Sequence, residues 1–133
     1  MLLHDRTDSM GETWSITESL TLRDDGIERR YFIPGNSPWF SGHFPGMPIL
    51  PAIGMLGMVY DTITEYAAQH GIRMSMREIK RVRFRQVLKP QSRFNVSVSI
   101  EPDGAGFRGS FQCTSENEKI CDGLFVVSGE TAR

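Results

Sequence analysis

Cysteine is scarce in this chain. Cys113 and Cys121 are the only two in 133 residues, and their spacing matches no metal-ligand pattern. That argues against a zinc module and against a disulfide-stapled secreted fold. The pair reads as reduced thiols, although a hairpin turning at Glu116-Asn117-Glu118 would set them opposite each other. Long apolar runs are also missing. No stretch approaches the roughly 18 uninterrupted apolar residues of a membrane span, and the opening Met-Leu-Leu-His-Asp-Arg-Thr-Asp lacks a signal-peptide core. A cytoplasmic protein without membrane attachment is expected. Nor is there an excess of either charge: 15 Lys and Arg against 16 Asp and Glu leave a formal net charge of −1. A general electrostatic grip on nucleic acid is thereby excluded. Histidine is rare at three residues, so the setting of each one is informative.

What is present is one concentrated, unusual segment. Trp39-Phe40-Ser41-Gly42-His43-Phe44-Pro45-Gly46-Met47-Pro48-Ile49-Leu50-Pro51-Ala52 sets a single histidine among glycines and prolines, just ahead of an apolar helical pattern. Pro45, Pro48 and Pro51 each fix φ and remove a backbone donor, so the segment is stiff and is neither helix nor central strand. An imidazole at a helix N-terminus is biased toward its neutral, base-competent form by the positive end of the dipole. His43 is therefore either a substrate-facing base or a loop histidine held for packing. His4 and His70 lack such a context and are expected to face solvent.

The chain is long enough for one domain, spanning residues 1–133, with little room for a second. Residues 1–11 are polar and patternless, as expected of a loose arm. Trp14, Ile16, Leu20 and Leu22 alternate with polar residues and predict a strand. Asp24-Asp25-Gly26 supplies turn chemistry, with a glycine available for positive φ, and Ile27–Ile33 is the returning strand. Leu56, Val59, Tyr60, Ile63, Tyr66 and Ala67 recur at helical spacing and predict a helix over Ala52–Gln69, stopped by Gly71. Gly54 and Gly57 each lower helix propensity by about 1 kcal/mol relative to alanine. That cost predicts close approach of another backbone or a ligand on that face. Strands follow around Val82 and Phe84, from Phe94 to Ile100, around Phe107, Phe111 and Cys113, and from Ile120 to Val127, the last expected to be buried on both faces. One helix with a run of antiparallel strands predicts an α+β layout, a sheet wrapped around a helix.

The proline-rich segment resembles the 3-hydroxyacyl-[acyl carrier protein] dehydratase family, marked by Gly-His-Phe-Pro-Gly-x-Pro-x-x-Pro-Gly leading into the central helix of a hotdog fold. The match runs from Gly42 to Pro51, with Ala52 in place of the usual final glycine. Asn36-Ser37-Pro38-Trp39-Phe40 upstream and Val82 to Pro90 downstream also resemble the family. The resemblance implies a homodimer with shared sites, an acyl thioester of acyl carrier protein or coenzyme A as partner, and no cofactor or metal. It implies His43 as base, the backbone N–H groups of Ala52 and Ile53 as oxyanion donors, and an acyl tunnel along Phe44, Gly57 and Met58.

This chain departs from the pattern at one critical place. The family's helix carboxylate stands fourteen residues after the motif histidine, which here is Gly57. Asp61 lies one turn further on the same face, about 6 Å along the axis at 1.5 Å per residue. It is either a displaced acid or a solvated, helix-bonded aspartate; Glu65 is farther still. Arg81, Arg83 and Arg85 belong to a basic stretch that either docks an acidic carrier protein or the phosphates of coenzyme A, or guards a strand edge against aggregation. The implied activity is a dehydratase-like lyase in fatty-acid or polyketide-type metabolism. A catalytically deficient subunit that binds acyl thioesters without turning them over or pairs with an acid-bearing paralogue, and an acyl thioesterase, stay open beside it.

Overall fold

The computed structural model describes residues 6–7, 13–40 and 49–131, and all that follows concerns these. Residues 41–48, which include His43 and Phe44, lie outside them. Seven strands, β1 (Arg6–Thr7), β2 (Thr13–Arg23), β3 (Gly26–Ile33), β4 (Ile72–Phe84), β5 (Ser92–Asp103), β6 (Gly106–Ser115) and β7 (Glu118–Thr131), accompany one helix, α1 (Ala52–Gln69). The strands form one sheet in the order β1-β2-β3-β5-β6-β7-β4, antiparallel at every pairing. The short β1 pairs with β2 inside the stretch expected to be a patternless arm.

α1 begins where expected because Pro51 takes an extended backbone, φ −67 and ψ 152, and proline has no N–H to leave unsatisfied there. It ends where Gly71 adopts φ +67, a conformation that costs glycine nothing. His70 does not simply face solvent: its Nδ1 lies 3.0 Å from the Tyr66 carbonyl oxygen and its ring stacks on Tyr66. The helix sinks Met58, Val59 and Ile63 completely into the core, each contributing about 1.5–3 kcal/mol relative to exposure. They meet Ile27, Tyr31 and Ile33 of β3, Val96 and Val98 of β5, and Phe125 and Val127 of β7. Tyr31 Oη reaches across to donate to the Met58 carbonyl at 3.1 Å and lies 3.0 Å from Thr62 Oγ1. A buried hydroxyl is thus satisfied while locking sheet to helix.

The sheet needs glycine for space more than for φ. Gly26 does not take positive φ in the turn after Asp25; a Cβ on it would meet the Val98 carbonyl oxygen at 2.2 Å. Gly109 is paired with Phe125, and Gly123 with Phe111, so each aromatic ring lies over a neighbouring strand's missing side chain. A Cβ at position 109 would sit 2.1 Å from the Ser99 carbonyl oxygen and 2.5 Å from the Phe125 ring. Gly109→Ala is expected to destabilise by about 1–3 kcal/mol or more, the range for overpacking, as a lowered midpoint in urea unfolding.

β7 is buried on one face only: Phe125 and Val127 are buried, Leu124 and Val126 half-buried. Its dense start has another cause. Cys113 pairs with Cys121 and Thr114 with Lys119, so Ile120 is the extra residue of a bulge and both Ile120 and Cys121 turn inward. Cys113 and Cys121 are opposite each other as free, buried thiols. The two-residue turn joining their strands has both Glu116 (φ 51) and Asn117 (φ 65) left-handed, as a hairpin of this length favours.

Candidate active site

The start of α1 is held from two sides. Leu50 N donates to the Leu88 carbonyl at 2.7 Å, and both residues are buried. On the other side the Trp39 ring lies 3.0 Å from where a Gly54 Cβ would stand. A close approach at Gly54 is present, but its partner is the Trp39 side chain and not another backbone or a ligand. Trp14 packs edge-on against Trp39, ring centroids 4.5 Å apart, and Ser37 Oγ donates to the Trp14 carbonyl at 2.7 Å. Sequence patterns did not reveal this aromatic wedge. Its only signal was a glycine in the first turn of the helix, three residues after Pro51.

At the helix tip Pro51 O accepts from Gly54 N at 2.9 Å and Met55 N at 3.2 Å. No side chain caps the end. The N–H groups of Ala52 and Ile53 belong to the first turn, where no intrahelical acceptor exists, and both residues are exposed, Ile53 at 74%. Ala52 has helical backbone and is not among the residues with positive φ. Alanine in place of the family's glycine therefore introduces no strain. Two donors at the positive end of a helix dipole form an anion-stabilising tip.

Along α1, Ile53, Gly57, Tyr60 and Asp61 lie on the side turned away from the core. Gly57 and Asp61 are half-buried, and Tyr60 is 42% exposed. Met58 is fully enclosed in the core, so an acyl chain meets it only by entering the core. Glu65 is half-buried and accepts from Gln69 Nε2 at 3.2 Å. Phe44 and His43 lie outside the described residues. The structure thus brings Ala52, Ile53, Gly57 and Asp61 onto one helix.

Arg81, Arg83 and Arg85 are exposed on the far face of the sheet. Arg83 pairs in register with Asp122, whereas the core-facing positions of β7 are Cys121, Gly123 and Phe125. Arg85 is tied to the Asp122 carboxylate, with Nη2 at 3.0 Å and Nε at 3.2 Å. No cluster of His, Cys, Asp or Glu able to hold a metal occurs among the described residues, and no helix among them is long and apolar enough to cross a membrane.

A family model described as ApeI-like, ApeI dehydratase, matches residues 19–124. The chain belongs to the ApeI-like dehydratase family. The match covers β3 to β6 and α1 whole, the last five residues of β2 and the first half of β7. A 3-hydroxyacyl-[acyl-carrier-protein] dehydratase FabZ of Chloroflexus aggregans is 28% identical over 109 aligned residues, covering 74% of each chain. Among solved structures, the dehydratase heterocomplex ApeI:P of Xenorhabdus doucetiae superposes with a TM-score of 0.73 at 18% identity, over 85% of this chain and 96% of that one. A hypothetical thioesterase with coenzyme A from Streptococcus pneumoniae reaches a TM-score of 0.71 at 9% identity, over 90% and 88% of the two chains. At these identities the structural likenesses establish the α+β hotdog fold. Membership of the ApeI-like family makes the chain dehydratase-like.

Proposed function

We propose that this protein is a lyase that removes water from a 3-hydroxyacyl thioester of acyl carrier protein or coenzyme A. Its place is in fatty-acid or polyketide-type chain metabolism. The observation that carries the reading is the tip of α1. The Ala52 and Ile53 N–H groups are uncapped there, and Asp61 stands on the same outward side of the helix that follows the His43 segment. The chemistry needs three groups. His43 takes the proton from the α-carbon. The electrons form the double bond as the C3–O bond breaks, and Asp61 supplies a proton so that the hydroxyl departs as water. The Ala52 and Ile53 N–H groups stabilise the thioester oxygen while enolate character develops. The proton bookkeeping closes without metal or organic cofactor.

The working unit in this proposal is a homodimer. β4 ends the sheet order, and an unpaired edge is a template for a second strand. Ile53 and Tyr60 leave apolar surface uncovered on α1, and a two-fold contact would cover it.

A second reading has its own support. Gly57 stands where the resemblance places the carboxylate, so one chain lacks the usual acid, and a structural relative is a dehydratase heterocomplex. In that case this chain supplies His43 and the oxyanion tip, and an acid-bearing paralogue supplies the proton.

Incubation of the purified chain with a 3-hydroxyacyl thioester, followed by mass analysis, tests both. The expected product is the 2-enoyl thioester, lighter by one water. Free thiol in its place would mean a thioesterase. Unchanged substrate that turns over only when an acid-bearing partner is added would favour the heteromeric reading.

A further inference from the structure

The far face of the sheet, opposite α1, carries a cavity that the dehydratase chemistry does not use. β4 reaches it through a bulge. Lys80 pairs with Leu124 and Arg83 with Asp122, so Arg81 and Val82 together oppose Gly123. Arg81 takes φ +54, a left-handed conformation that costs a residue with a side chain about 1–2 kcal/mol. Strained backbone of this kind clusters at ligand sites. Its effect here is specific. Val82 stays against the core side, its Cγ2 3.3 Å from where a Gly123 Cβ would be, while Arg81 and Arg83 both line a cavity of about 430 Å³ on the outer face.

Ser97, Ser99, Ser110 and Gln112 form much of the rest of that cavity. They offer short hydroxyl and amide donors beneath the two guanidinium groups. Asp122 also lines it, but its carboxylate is already engaged by Arg85 at 3.0 Å and Lys119 at 3.7 Å. Among the described residues Arg81 and Arg83 have no ion pair, in contrast to Lys80 with Glu78 and Arg85 with Asp122. The cavity is therefore an open surface recess whose polar lining combines three serines and a glutamine with two guanidinium groups that form no ion pair among the described residues. Its volume falls within the roughly 300–1,000 Å³ of small-molecule sites.

We propose that this recess binds a phosphoryl-bearing small molecule, with Arg81 and Arg83 clamping the phosphate oxygens and the serine hydroxyls donating from the floor. Guanidinium forks match phosphate oxygens two at a time, which suits them to this ligand chemistry better than lysine. A recess with its donors on the floor takes a compact oxyanion more readily than the broad surface of an acidic carrier protein. The proposal stands apart from the dehydratase reading, because the sheet separates this recess from α1.

Calorimetric titration of the full chain with inorganic pyrophosphate tests it, with malonate as a dianion lacking phosphorus. Saturable binding of one pyrophosphate per chain, tighter than malonate, is expected. Arg83→Gln should weaken it about tenfold or more, the scale of one charge-assisted hydrogen bond. Arg81→Gly should weaken it similarly without lowering the melting temperature, since glycine accepts φ +54 freely. Arg77→Gln, on the same strand but not lining the recess, should leave it unchanged. Absence of saturable binding at millimolar pyrophosphate, or equal weakening by all three substitutions, overturns the proposal. So does salt-sensitive binding of an acidic carrier protein that is lost in Arg83→Gln while pyrophosphate never binds, which would make this face a protein dock.

Discussion

His43→Ala is expected to lower turnover of a 3-hydroxyacyl thioester by about 10²–10⁴-fold, the usual contribution of a general acid or base. The same change should move the unfolding free energy by less than about 1 kcal/mol, as substitutions outside core mechanisms do. The described neighbours explain why stability should survive. Before His43 the chain is anchored by Trp39 against Gly54 and Trp14. After it, the Leu50 N–H bonds to the Leu88 carbonyl and both side chains are buried. Both anchors are made by described residues on either side of the His43 segment. Urea unfolding and a thioester assay on the same preparation separate the alternatives. A large loss of stability with unchanged turnover would make His43 a packing residue.

Helix α1 was legible from end to end because each of its signals is local. The three-and-four spacing of Leu56, Val59, Ile63 and Tyr66 sets the buried side, and Pro51 and Gly71 set the ends. β4 was legible only around Val82 and Phe84, and its pairing shows why. Ile72, Met74 and Met76 keep a period of two, but bulges at Arg77 and at Arg81 shift the phase. The apolar side then continues at Ile79 and again at Val82, so no single alternation runs through the strand. The glycines at 26, 109 and 123 were illegible for a related reason. Each is demanded by a neighbour on another strand, Val98, Phe125 or Phe111, and register is not a local property. The bulge at Ile120 likewise disguised a one-sided strand as a two-sided one.

The candidate site divides along the same line. A motif confined to fourteen residues pointed to His43, Ala52 and Ile53, because helix-tip donors and a loop histidine are specified by neighbours in sequence. The aromatic wedge of Trp14 and Trp39 on Gly54 joins residues from separate elements and left only the glycine as a trace. The basic run was visible as charge. That Arg85 is occupied by Asp122 while Arg81 and Arg83 are not depends on strand pairing alone.

Asp61→Asn is expected to remove most of the activity, again about 10²–10⁴-fold, if the acid has moved one turn down the helix from position 57. Asparagine keeps the size and polarity of the side chain but cannot deliver a carboxylic proton, so the melting temperature should hold while turnover falls. The reverse experiment fixes the interpretation. Gly57→Glu removes a helix-interior glycine, which favours the helix by roughly 0.5–1 kcal/mol, and it sets a carboxylate where the family resemblance places one. Where Asp61 is the working acid, that second carboxylate adds little or obstructs the space beside Gly57. Where the chain has lost its acid and depends on a partner, the isolated wild type is nearly inert and Asp61→Asn is silent. Gly57→Glu then creates measurable hydration of an enoyl thioester in the homodimer. Wild-type turnover that survives Asp61→Asn unchanged would remove Asp61 from the mechanism. The proton would then have to reach the departing hydroxyl from another group, and the first to test is an acid on an added paralogue.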